Sequence, residues 1–75
     1  MKTLNTINIG KSAVIQNVLT EEAMRRRLLD IGMTEGTTIE CVGRSPCGDP
    51  RAYLIRGAVI AIRNDDARKV MVKWG

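Results

Sequence analysis

Residues 51–63, Arg-Ala-Tyr-Leu-Ile-Arg-Gly-Ala-Val-Ile-Ala-Ile-Arg, decide the fold. Two short apolar, β-branched segments, Arg51 to Arg56 and Ala58 to Arg63, meet at a glycine, a pattern that predicts two strands joined tightly through Gly57. Ala58 to Ile62 is also the longest uninterrupted apolar run in the chain, far short of the roughly 20 residues that span a bilayer. Upstream, Ser45 to Pro50 (SPCGDP) is the strongest loop signal, with two prolines and a glycine in six residues. Before it, Gly36 marks a turn and Thr37 to Arg44 (TTIECVGR) reads as a strand with Ile39 and Cys41 on one side. Downstream, Asn64 to Lys69 (NDDARK) predicts a single helical turn and Val70 to Trp74 a closing strand.

The period differs in the first half. Lys11 to Leu19 (KSAVIQNVL) alternates loosely, placing Ala13, Ile15 and Asn17 on one face and Val14, Gln16 and Val18 on the other. Thr20 then offers a hydroxyl N-cap, Glu21 and Glu22 fall in a first turn, and neither proline nor glycine follows until Gly32. A helix of about three turns is expected, with Met24, Leu28 and Ile31 as its apolar stripe, Leu29 widening it and Gly32 as its left-handed stop. A short strand around Thr3 to Ile7 completes the count. The fold class is mainly β: a small barrel of five to six strands, one α-helix between the early strands and a short helical turn before the last.

Composition narrows function. Seventy-five residues predict one domain, residues 1–75. The chain has no histidine, hence neither the commonest general base nor the commonest transition-metal ligand, and an enzyme is not expected. No stretch near Met1 reads as a secretory signal, and two cysteines are no disulfide framework, so a soluble cytoplasmic protein is expected. The net charge of +4 raises a nucleic-acid reading. Against it, Glu21 and Arg25, Glu22 and Arg26, and Arg26 and Asp30 stand at i, i+4, so the arginine run pairs largely with its own helix, and only Tyr53 and Trp74 offer aromatic surface. Cys41, in phase with Ile39, reads as core. Cys47 and Asp49 share the loop and are weak candidates for a metal, Cys47 as a soft donor and Asp49 as a hard one; Asp49 reads first as a cap on its own turn.

Several segments taken in order carry a resemblance. Arg27-Leu28-Leu29-Asp30-Ile31-Gly32-Met33, then Gly36-Thr37-Thr38-Ile39, Pro46-Cys47-Gly48-Asp49-Pro50, Arg56-Gly57, Ile60-Ala61-Ile62-Arg63 and Asp66-Ala67 together are similar to the FeoA family of ferrous iron transport accessory proteins. The resemblance runs from about Leu4 to Val72 and implies an SH3-like barrel. It also implies a non-enzymatic bacterial protein that binds and supports or regulates the FeoB permease from its cytosolic G-domain side, peripheral to the inner membrane through that partner. Leu28, Leu29, Asp30 and Gly32 match the family's helix-end motif; Gly48, Asp49 and Pro50 match its loop motif. Cys47 departs from the aliphatic residue usual there. Leu28, Leu29, Asp30 and Met33 are the candidate partner contacts, and Gly32, Gly48, Asp49, Pro50 and Gly57 the candidate turn and loop residues. No intrinsic cofactor is expected; Fe(II) or another divalent transition metal is left open as a ligand. The alternatives are a small-barrel nucleic-acid binder and a transition-metal-responsive interaction module.

Overall fold

Residues 2–74 are described in the computed structural model. The strands are β1 (Lys2–Thr3), β2 (Ser12–Val18), β3 (Thr38–Arg44), β4 (Arg51–Ile55), β5 (Ala58–Ile62) and β6 (Val70–Trp74); α1 (Glu22–Asp30) lies between β2 and β3, and α2 (Asn64–Ala67) between β5 and β6. All pairings are antiparallel, in the order β1-β6-β2-β3-β4-β5. β1 and β5 stand at opposite ends of this order, so strand pairing leaves the barrel partly open. This is the mainly β architecture with one long and one short helix that the sequence predicts, in the SH3-like form that the family resemblance implies.

The hairpin that decides the fold closes through Arg56 (φ 49°) and Gly57 (φ 80°), a two-residue turn with both central residues left-handed. Its register pairs Ile55 with Ala58, Tyr53 with Ile60 and Arg51 with Ile62. β4 continues onto β3, where Cys41 faces Tyr53 and Ile39 faces Ile55, so one row of inward side chains crosses three strands. The core is filled by Leu4, Ile7, Ile15, Met33, Ile39, Cys41, Tyr53, Ile55, Val70 and Val72, all essentially inaccessible to solvent. Each buried aliphatic side chain contributes roughly 1.5–3 kcal/mol relative to exposure.

Three local expectations are corrected. The first strand is only Lys2–Thr3; Leu4–Thr6 is a turn of 3-10 helix. Leu4 and Ile7 are both buried, and a three-residue spacing brings two side chains to one side in a 3-10 turn and not in a strand. In β2 the inward set is Ala13, Ile15 and Val18, with Asn17 exposed, because a bulge between Ile15 and Asn17 in the pairing with β6 shifts the alternation by one residue. At the start of α1 the N-cap is Glu21, without a side-chain cap. Thr20 is drawn inside, and its Oγ1 has no hydrogen-bond partner among the described residues.

Arg51 does part of the closing that strand pairing leaves undone. Its Nη1 donates to the carbonyls of Ile7 (2.6 Å) and Asn5 (3.1 Å), tying β4 to the 3-10 segment. Tyr53, two residues on, is fully buried, and its hydroxyl has no hydrogen-bond partner among the described residues. Burial pushes its pKa above the ordinary 10.0, and the neighbouring Arg51 guanidinium only partly draws it back. A raised phenol pKa adds stability that is complete below the unfolded value and is lost as pH rises through the folded one. The protein is therefore expected to lose stability above about pH 10, and Tyr53→Phe to flatten that loss while costing under about 1 kcal/mol at neutral pH, since no hydrogen bond is broken. Tyr53 is the sole tyrosine, so tyrosinate absorbance alongside urea melts at several pH values checks this; a normal titration would refute it.

Candidate functional site

The end of α1 is shaped by backbone bonds. Gly32 N–H donates to Leu29 O (3.0 Å) and Met33 N–H to Leu28 O (2.9 Å), with Gly32 left-handed at φ 104°. This is the Schellman arrangement, and it brings the residue after the glycine against the last full turn of the helix. Leu28 and Met33 accordingly turn inward together, 5% and 0% exposed. As candidate contact residues both are corrected: they anchor the helix end to the core. Leu29 is half-buried and Asp30 exposed. Ile31, 40% exposed, joins them. The sequence reading placed Ile31 in the buried stripe; the helix ends at Asp30, so Ile31 no longer follows the helical period.

Gly32 also lies beneath Arg56. The Arg56 Nε donates to Gly32 O (3.4 Å) and its Nη2 to Thr37 Oγ1 (3.3 Å), while a β-carbon on Gly32 would come within 2.8 Å of that Nε and closer still to Cδ. The helix end and the β4–β5 turn are thus one unit, assembled from residues 24 positions apart.

A shallow, open depression of about 690 Å³ lies over Glu22, Ala23, Arg26 and Arg27 of α1, and two narrower ones flank the helix. The larger of the narrower pair, about 370 Å³, lies between α1 and β5 and is lined by Met24, Arg27, Leu28 and Ile31 on one wall, Ile60 to Arg63 on the other, and Asp66. The smaller, about 110 Å³, opens toward β2 and holds Leu29 and Met33 among Gln16, Asn17, Arg25 and Glu35. All three arginines of the helix are exposed. Of the three ion pairs anticipated on α1, only Arg26–Glu22 forms among the described residues, at 3.7 Å and fully solvated, worth a few tenths of a kcal/mol. Arg27 is left facing the groove.

The 45–50 loop is held by its own backbone and by α2. Ser45 Oγ donates to Asp49 O (2.7 Å), and Gly48 N–H to Ser45 O (2.8 Å). Asp49 Oδ1 accepts from Asn64 N–H at 2.9 Å, and Asn64 Nδ2 donates to Gly48 O at 3.3 Å. Asp49 therefore caps α2 across the fold and not its own turn. The Asp49–Pro50 peptide is cis. Cys47 is exposed and Cys41 buried, both free. Among the described residues no three His, Cys, Asp or Glu side chains converge as a metal site would require. Cys47 and Asp49, two donors in one exposed loop, do not fit a resident metal. No helix among the described residues is long and apolar enough to cross a membrane.

A partly open antiparallel barrel with one inserted helix, its glycine-stopped end locked beneath the β4–β5 turn, belongs to the SH3-like class of small barrels. A family model described as FeoA domain matches residues 2–73, and the chain belongs to that family. It is 34% identical over 70 residues to the Fe(2+) transport protein A/Fe(2+) transporter FeoB fusion protein of Porphyromonas gingivalis, a match that covers 93% of this chain and 8% of that protein. The chain thus spans less than a tenth of that relative. The FeoA protein of Chlorobium tepidum superposes with a TM-score of 0.93 at 29% identity, over 97% of this chain and 70% of that one. Stenotrophomonas maltophilia FeoA, solved with zinc and described as a procaryotic SH3 domain protein, gives 0.86 at 27% identity, over 97% and 91%.

Proposed function

We propose that the chain is a non-enzymatic accessory module of ferrous iron uptake, residues 1–75 acting as one unit, which binds a FeoB-type permease at its cytosolic face and supports or regulates it. The observation that carries this reading is the Porphyromonas gingivalis relative, in which a segment like this chain and a FeoB transporter are one polypeptide. Fusion holds two proteins at high effective concentration, an arrangement useful to partners that meet weakly. Iron is cargo of the permease in this reading, and the chain contributes contact surface.

The contact surface is the end of α1: Leu29, Asp30 and Ile31, presented by a helix stop that Gly32 and Arg56 hold rigid. Leu29 and Ile31 leave apolar surface at the helix end with exposed Asp30 between them, and apolar surface rimmed by polar groups is the anatomy of protein contacts. Affinity between this chain and the detergent-solubilised FeoB permease of the same genome tests the proposal. A complex is expected, and Leu29→Asn with Ile31→Asn should weaken it about tenfold or more while circular dichroism stays native. Absence of any complex would overturn the reading. Binding that falls steeply with salt and prefers RNA or DNA to the permease would favour the nucleic-acid alternative.

A further inference from the structure

The two ends of the strand order are treated unlike. β1 is two residues long and carries Lys2, devices that discourage further pairing. β5 is five residues, Ala-Val-Ile-Ala-Ile, with no charge, no proline and no bulge. The two-residue turn makes Ile55 and Ala58 a hydrogen-bonded pair, and alternation then bonds Ile60 to Tyr53 and Ile62 to Arg51. Val59 and Ala61 therefore direct their N–H and C=O groups to the open side, where no strand pairs among the described residues. Val59 is also 64% exposed. Along this edge runs the groove to α1, with Arg27 on one wall and Arg63 on the other against the single carboxylate of Asp66.

We propose that this edge takes up an extended segment of the partner as a seventh strand, seated between β5 and α1, with apolar side chains alternating into the groove and a carboxylate that meets Arg27 and Arg63. The proposal rests on the reading that the chain binds a FeoB-type permease, and it names how the partner is held. Unpaired backbone donors and acceptors spaced at the strand period are satisfied by extended chain and not by a helix. Two guanidiniums against one carboxylate call for an acidic ligand. A second copy of this chain fits worse: antiparallel pairing of β5 with itself, centred on Ile60, sets Arg63 of each copy beside the Arg56–Gly57 turn of the other, like charge against like at both ends.

Hydrogen–deuterium exchange of the whole chain, free and in complex with the detergent-solubilised permease, tests this. The amides of Val59 and Ala61 should exchange freely in the free chain and be protected in the complex. Ala61→Pro, which removes an outward donor, should weaken binding about tenfold. Arg27→Glu, at an exposed helical position that leaves the sheet intact, should do the same, with an effect that shrinks as salt rises. If the complex forms but these amides stay unprotected, or if Arg27→Glu binds like the native chain, the strand proposal falls while the permease reading stands. Protection in the free chain that grows with its own concentration would assign the edge to a second copy and overturn the proposal. No complex at all would remove both.

Discussion

Replacing Arg51 with methionine is expected to lower the free energy of unfolding by about 3 kcal/mol, since hydrogen bonds from a charged donor contribute roughly 1.5–3 kcal/mol each and Nη1 makes two, to Asn5 O and Ile7 O. Methionine keeps most of the packing of the arginine stem, so the loss reports on the guanidinium. The two carbonyls must then find water or go unpaired, and the 3-10 segment that carries buried Leu4 and Ile7 loses its tie to β4. Against a total of about 5–15 kcal/mol for a native domain, that is a large share. Urea unfolding followed by far-ultraviolet circular dichroism gives the number; Arg51→Lys should recover only part of it, because an ammonium lacks the planar fork. A loss below about 1 kcal/mol for methionine would mean that the sheet closes without this clasp.

Gly32→Ala is expected to cost about 2–3 kcal/mol, from two separable sources. The left-handed backbone at φ 104° is strained for any residue with a β-carbon, at roughly 1–2 kcal/mol. The new methyl also occupies the place of the Arg56 side chain, which must swing out and give up its bonds to Gly32 O and Thr37 Oγ1, a further loss of about 1 kcal/mol for exposed bonds. A double-mutant cycle divides the two. In an Arg56→Ala background, where nothing remains to displace, Gly32→Ala should cost only the backbone part. An undiminished cost would show that Arg56 is not braced on the glycine. Since the same unit presents Leu29 to Ile31, permease affinity should fall with it.

How far the sequence could be read depended on the range over which each feature is determined. The hairpin at Arg56–Gly57, the loop from Ser45 to Pro50 and the glycine stop of α1 depend on residues within one turn of each other, and their composition announced them. The family and fold followed from those same segments. What the pattern misplaced depends on distant partners. The β2 bulge exists because Ile15 and Asn17 must keep register with β6, more than fifty residues on, and it reverses which of Asn17 and Val18 is buried. The roles of Arg51 and Asp49 likewise span 44 and 15 residues. For the candidate site, the helical period put both leucines in one apolar stripe; the Schellman bonds separate them, sending Leu28 inward with Met33 and leaving Leu29 half-buried on the β2 side. That pairing was foreshadowed by a glycine with an apolar residue on its far side, a signal as local as the others.

β1 pairs with β6, Lys2 opposite Val72, and the Lys2 ammonium sits 5.0 Å above the Trp74 ring. The polypeptide consequently enters and leaves the barrel at one corner. A covalent leash to a larger protein would have nearly the same anchor point and reach whether joined ahead of Lys2 or after Trp74, and in either order it would leave the pairing of the other four strands untouched. Gene fusion in either orientation is thereby geometrically equivalent for such a barrel, and the order of the two parts in a fused polypeptide carries little information about how they dock.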